Sequence, residues 1–122
     1  MTEYTLRYTE TAREDLRKIA FSLYDLTGSN TIVTAYMNGI RESCAVLKMF
    51  PGSGFVPRDR TLVAMGYRFV QYRDYLAFYL RDDVAREITV MTVFNGKMDY
   101  TAYMRRYLFP VADQPDVYSA EK

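Results

Sequence analysis

The chain predicts an α+β domain of order β-α-α-β-β-β-α, with an antiparallel sheet packed against an N-terminal αα-hairpin. Three observations carry that prediction. Two stretches of helical apolar spacing lie close together between residues 11 and 50. Three alternating segments follow over 67–94, the first two separated only by Arg73 and Asp74. A last short helical stretch stops before Pro110. The 122 residues can bury one core without disulfides or a metal. Residues 1–108 are expected to form one domain and 109–122 a C-terminal tail.

Taken in order, YTLRY (4–8) alternates and is rich in β-formers, which predicts a short strand. Thr11 is the expected cap of the first helix, with Glu14 completing a capping box. Leu16, Ile19, Ala20 and Leu23 give it one apolar face, and Gly28 supplies the left-handed stop. Ser29 or Asn30 caps the second helix, whose stripe is Val33, Tyr36, Met37, Ile40, Cys44 and Leu47. It must end near Phe50, because Pro51 pushes the preceding residue out of the α region. PGSGFVPRDRTLVAMG (51–66) is expected to be an irregular connection. Its GSG follows a helix and lacks a Walker lysine, so it is not a phosphate loop.

The strands are YRFVQY (67–72), YLAFYLR (75–81) and EITVMTVF (87–94), with DDVAR turning between the last two. Strand alternation places Leu76, Phe78 and Leu80 on one face and Ala77, Tyr79 and Arg81 on the other. Ile88, Val90, Thr92 and Phe94 are expected to share a face in the same way. The result would be one core face against the helices and one more polar, tyrosine-bearing face. Asp99 caps the last helix, which carries Met104, Tyr107 and Leu108.

Composition bounds function. With 49% hydrophobic and 25% charged residues the chain is an ordinary folding sequence. Cys44 stands alone, so neither a disulfide framework nor a thiolate metal cluster is expected. There is no histidine, which excludes Ser-His and Cys-His nucleophiles and removes the commonest metal ligand. No cofactor is expected. The polar start MTEYTLRY has no apolar signal region, and no apolar run is long enough for a membrane span, so a cytoplasmic protein is expected. The net charge of +1 argues against a broad nucleic-acid surface, although residues 58–108 hold nine basic and six acidic residues.

The run FNGKMDY (94–100) joins the last strand to the last helix and collects candidate site residues. Asn95-Gly96 suits a tight turn, since both tolerate positive φ. Lys97 is either a solvated charge or the basic group of a target-binding site. Asp99 is the expected N-cap, and Tyr100 and Tyr103 follow it on the helix. Arg68 is either a strand-surface arginine bonded to a carboxylate or a site cation. Arg81 adjoins an acidic turn and reads first as a solvated ion pair. The twelve tyrosines suit a core edge, base stacking or a protein interface, and composition does not separate these.

This order, with YTLRYTETAREDLRKI, PGSGFVPRDRTLVAMGYR, YLAFYLRDD and ITVMTVFNGKMDYTAYM, resembles the RelE/ParE superfamily of type II toxins over residues 4–108. FNGKMDY looks like the family's His-Gly-Arg-Arg-Asp-Tyr type of run, with Asn95 for histidine and Lys97 for arginine. The resemblance implies a RelE-like fold and a cognate antitoxin that forms a hetero-oligomer with the toxin. It also implies one of two targets: DNA gyrase for ParE-like members, or the ribosome with mRNA for RelE-like members, which are metal-independent endoribonucleases. RelE-like ribonucleases carry an arginine where YLAFY has Leu76, and Asn95 exchanges no protons at neutral pH. GYR at 66–68, FY at 78–79 and the basic-Met-Asp run at 97–99 look closer to ParE-like members. A ParE-like toxin binding a protein target is therefore the expected reading, with Arg68, Arg81, Asn95, Lys97, Asp99, Tyr100 and Tyr103 as target-binding candidates. The alternative is an mRNA interferase using Arg68 and Lys97 on phosphate and Tyr100 or Tyr103 near the reacting hydroxyl. A third is an inactive relative serving as a binding module.

Overall fold

The computed structural model describes residues 3–97 and 99–108. The elements are β1 (Thr5–Tyr8), α1 (Glu10–Thr27), α2 (Asn30–Ala45), a 3-10 turn (Val46–Lys48), α3 (Arg60–Ala64), β2 (Arg68–Tyr72), β3 (Tyr75–Asp82), β4 (Glu87–Asn95) and α4 (Tyr100–Leu108). The expected order is present, with α3 added inside the connection read as irregular. Asp59 caps α3 by accepting from the Thr61 and Leu62 N–H groups at 2.8 and 3.1 Å. Its five residues bury only Leu62, too little for a periodic signal.

The exit from β1 sets α1. Thr9 is extended, and its hydroxyl accepts from the Ala12 N–H at 3.0 Å while donating to the Met91 carbonyl at 2.9 Å. The cap is thus Thr9 and not Thr11, because Thr9 serves both the helix end and the neighbouring strand. Glu14 makes no capping box; it accepts from Arg17 at 2.8 Å. Gly28 closes α1 at φ 64°, and the Ser29 hydroxyl caps α2 through the Ile32 N–H at 3.2 Å.

The sheet order is β1-β4-β3-β2. β2, β3 and β4 form the antiparallel meander, and β1 joins it parallel to β4. The register slips between Phe78 and Tyr79, which face Thr92 and Val90 and leave Met91 unopposed. This bulge corrects the expected alternation in β4. Ile88 and Val90 pack toward the hairpin, whereas Phe94 packs on the opposite face. An extra residue in one strand reverses every side chain beyond it.

Both faces of the sheet are covered, which corrects the expectation of one polar, tyrosine-bearing face. Ala12, Leu16, Ile19, Leu23, Ile40 and Cys44 from the hairpin pack on Ala77, Val90 and Val93. On the other face Leu62 of α3 and Met104 of α4 pack on Leu76, Phe78 and Phe94, with Tyr67 beside them. The sheet is covered on both sides, and β3 is accordingly apolar or aromatic from Tyr75 to Leu80, as a doubly covered strand must be. Gly39 lets α2 lie directly on the Tyr72 ring, which a Cβ there would strike. No helix among the described residues is long and apolar enough to cross a membrane.

Cys44 is fully buried, and that burial pushes its thiol from 9.0 up to about 11. The folded chain then keeps a proton that the unfolded chain releases. Stability from this group is whole below pH 9 and is lost as pH rises toward 11, on the order of 3 kcal/mol in all. The urea midpoint of the parent chain should therefore fall more steeply over pH 9–11 than that of Cys44→Ala. Parallel slopes would refute the burial account. Expectations about residues 109–122 lie outside the described residues.

Candidate functional site

The turn after β4 is an Asx turn in which Asn95 Oδ1 accepts from the Lys97 N–H at 2.9 Å. The Gly96 N–H donates to the Asp74 carbonyl at 2.6 Å, tying this turn to the β2–β3 hairpin. Neither Asn95 nor Gly96 takes positive φ, contrary to expectation; among the described residues only Arg73, Arg86, Gly28 and Gly66 do. Glycine is needed at 96 for space, since a Cβ there would lie 2.7 Å from Leu76 Cγ. Asp99 is the N-cap of α4, its Oδ1 accepting from the Thr101 and Ala102 N–H groups at 3.1 and 3.3 Å. Asp99→Ala should cost about 1 kcal/mol, read as faster amide exchange at Thr101 and Ala102. Unchanged exchange there would remove the capping role.

These turns frame a cavity of about 530 Å³ on the α4 side of the sheet. Leu76 and Phe69 line it from the strands, Phe55 and Val56 from the 51–59 loop, and Tyr100 from α4. The loop is held in place by a two-way backbone bridge between Phe55 and Phe69, at 2.8 and 3.1 Å. Tyr100 lies against Phe69 and Phe78, and its hydroxyl accepts from the Arg58 N–H at 3.1 Å. Arg58, Lys97, Asp74 and Asp99 supply the cavity's charge, two of each sign. Lys97 Nζ sits 3.4 Å from Asp74 Oδ2.

The candidates named from sequence divide into three places. Lys97, Asp99 and Tyr100 line the cavity together. Asn95 and Tyr103 line a different hollow, with Asp15 and Lys18 of α1. There Tyr103 stacks on Phe94 at 3.9 Å, and its hydroxyl meets Thr92 Oγ1 at 3.2 Å. Burial raises its pKa, an effect the Thr92 hydrogen bond partly offsets. Asp15 Oδ2 accepts from Thr92 Oγ1 at 2.7 Å and from the Val93 N–H at 3.0 Å, closing the β4 edge where β1 has ended. Arg68 and Arg81 are elsewhere. Among the described residues Arg68 bonds no carboxylate; its Nη1 donates to the Gly52 and Gly54 carbonyls at 3.1 and 3.4 Å. Arg81 pairs with Asp83 at 2.8 Å, and the Tyr4 hydroxyl donates to the same oxygen at 2.8 Å. Tyr4 and Arg81 together hold the Asp83 carboxyl below its usual range.

Sequence reasoning missed Arg58, Asp74, Gln71 and Phe55 as cavity residues. Asp74 had a usable signal, since a two-residue hairpin turn must sit at the sheet's end, beside the turn after β4. Phe55 had none, because the bridge that places it is tertiary. Tyr100 accepts a backbone hydrogen bond, and Asp74 is engaged by Lys97, so neither presents an unengaged base. Among the described residues no three His, Cys, Asp or Glu side chains converge as a metal site requires.

Fold and cavity together define a class: a small α+β protein with a helical hairpin on one sheet face and a cavity-forming C-terminal helix on the other. The sequence model of a family described as the ParE toxin of the type II toxin-antitoxin system parDE matches residues 6–100, and the chain belongs to that family. It is similar in structure to a chain of the RelBE2 toxin-antitoxin complex from Mycobacterium tuberculosis, at 26% identity and TM-score 0.55, covering 76% of this chain and 98% of that one. It is also similar to a chain of the chromosomal ParDE system of P. aeruginosa, at 18% identity and TM-score 0.61, with 76% and 96% covered. For the isolated E. coli RelE toxin the values are 14%, 0.51, 85% and 98%. The last two likenesses establish the fold alone. No curated protein matches the chain.

Proposed function

We propose that the chain is a ParE-like growth-arresting toxin that acts by binding a protein target, such as DNA gyrase, and is neutralised by a cognate antitoxin. The observation that carries this reading is the cavity itself. Leu76 and Phe69 give it an apolar lining, the exposed Phe55 and Val56 extend that surface, and its charged groups balance. RNA cleavage needs surplus cations against the phosphorane and a group to take the 2′-hydroxyl proton. The two cavity cations are matched by two carboxylates, and Arg68 is spent on the Gly52 and Gly54 carbonyls of the 51–59 loop. A desolvating apolar patch with a charged rim suits a protein interface instead. Family membership and the toxin-antitoxin setting of two similar structures support the antitoxin partner.

A ribosome-dependent mRNA interferase is the second reading. Lys97 and Tyr100 meeting at one cavity favours it, as does the 26% identity to a chain of a RelBE2 complex. The test is induced expression with and without the neighbouring gene, recording growth, mRNA 5′ ends and plasmid supercoiling. Intact mRNA with altered supercoiling or DNA breaks is expected. New 5′ ends within translated codons, lost on Lys97→Ala, would overturn the protein-target reading. Normal growth at full soluble expression would leave a binding module without toxicity.

A further inference from the structure

The two-residue turn between β2 and β3 has an unusual occupant. Arg73 takes φ 52°, whereas Asp74 does not take positive φ. A tight hairpin with left-handed backbone only at its first central residue normally places glycine there, because a Cβ is disfavoured in that region. Glycine at 73 would make the same turn without strain. A residue kept in such a conformation points to a task for its side chain.

The side chain is fixed on the α2 side of the turn. Its guanidinium carbon lies 5.5 Å from the Tyr36 ring centre and 5.6 Å from that of Tyr72, both within cation–π range. Its Nε also donates to the Tyr72 hydroxyl at 3.3 Å. The rings are themselves anchored. Tyr36 meets Tyr72 and Tyr75 edge-on at 5.8 and 6.2 Å, and the Tyr72 ring lies against Gly39 of α2. An aromatic cluster thus immobilises an exposed arginine. Among the described residues that arginine makes no ion pair, and its terminal nitrogens meet no protein acceptor.

The same turn is tied to the cavity. The Arg73 carbonyl accepts from Gln71 Nε2 at 2.8 Å, the Asp74 carbonyl accepts from the Gly96 N–H, and Gln71, Asp74 and Gly96 all line the cavity. Other charge is sparse or matched. Residues 30–40 of α2 carry no charged side chain, and the two cavity cations face two carboxylates. A polyanion such as a nucleic-acid backbone needs several unmatched cations. A lone planar fork matches one carboxylate, which it holds through two parallel hydrogen bonds.

We propose that Arg73 is a preformed anchor for a carboxylate side chain, Asp or Glu, that the protein target presents at the sheet end beside the cavity. The proposal rests on the protein-target reading above and adds the chemistry of one contact. Ordering a free arginine opposes binding through lost rotamer freedom, and the tyrosines have already ordered this one. Arginine is also among the residues that dominate interface hot spots.

The test is dose-controlled expression of the full chain, relating growth to the amount of soluble toxin, with a urea midpoint measured for each purified variant. Arg73→Gly removes the fork and relieves the backbone. It is expected to hold or raise the urea midpoint, yet to need about tenfold or more toxin for half-maximal arrest. Arg73→Lys keeps the charge without the planar fork and should lie closer to Arg73→Gly than to the parent. Arrest by Arg73→Gly at the parent's dose overturns the proposal and leaves the protein-target reading standing. A fall in its midpoint large enough to account for lost arrest makes Arg73 merely structural and overturns the proposal too. Full arrest with lost neutralisation by the neighbouring gene's product assigns the arginine to the antitoxin, with the same consequence. New mRNA 5′ ends that Arg73→Gly abolishes assign it to RNA phosphate and overturn proposal and reading together, as does a parent chain that arrests nothing.

Discussion

Phe78→Ala is expected to remove a large share of the chain's folding stability. Phe78 is 0% exposed and sits at the centre of the α4-side core. Its ring stacks on Phe94 at 5.6 Å and meets Phe69 at 5.1 Å and Tyr100 at 5.6 Å. Truncating such a ring costs about 3–5 kcal/mol in transfer and cavity terms together. A domain of this size has about 5–15 kcal/mol to lose. The consequence extends past stability, because Phe78 supports both Phe69 and Tyr100, two walls of the candidate site. Urea unfolding followed by far-UV circular dichroism checks it. Phe21→Ala, at an exposed position, should stay within about 0.5 kcal/mol of the parent. A Phe78→Ala loss below about 1 kcal/mol would mean that the α4-side core is not packed as described.

Phe55→Ala combined with Lys97→Ala is expected to abolish growth arrest without unfolding the chain. Phe55 is 58% exposed and rests on Phe69 at 5.5 Å, so it presents an aromatic face on a rigid backing. Lys97 is 74% exposed at its side chain and lightly held by Asp74. Removing an aromatic anchor and a charge from the centre of an interface costs about 2 kcal/mol or more, roughly thirtyfold or greater in affinity. The folding cost should remain under about 1 kcal/mol, because neither side chain is in the core. Growth after induction, with urea midpoints measured in parallel, makes the comparison. Arg68→Ala should keep the arrest, since its guanidinium holds the Gly52 and Gly54 carbonyls and lies away from the cavity. The reverse pattern, with Arg68→Ala harmless to folding yet inactive and the double variant still toxic, would move the target site to the Arg68 face.

The candidate site was legible in part, and the division follows range. Asp99 as a cap and Asn95 as a turn former are readable because their partners lie within three residues. Lys97 and Tyr100 inherit their places from that turn and that helix. Tyr103 is one turn further along α4, so it faces Asp15 and Thr92 instead of the cavity. Arg68 was grouped with Lys97 on chemistry alone. Its strand parity and the path of the 51–59 loop send it elsewhere, and no local signal encodes that path.

By itself the sequence determined what short-range physics controls. Helical spacing and Gly28 delimited the hairpin, a two-residue turn forced the β2–β3 pairing, and the absence of histidine removed its proton-transfer chemistry. Tertiary structure alone decided the rest. The unopposed Met91 reversed the end of β4, and α4 and α3 covered the face expected to be polar. Thr9 displaced Thr11 as the cap because the Met91 carbonyl lies across from it, and Phe55 reached the cavity by pairing with Phe69. In each case the deciding partner is distant along the chain. Local propensity is a sum over neighbours in sequence, so it carries no information about a contact that forms only when separate elements pack.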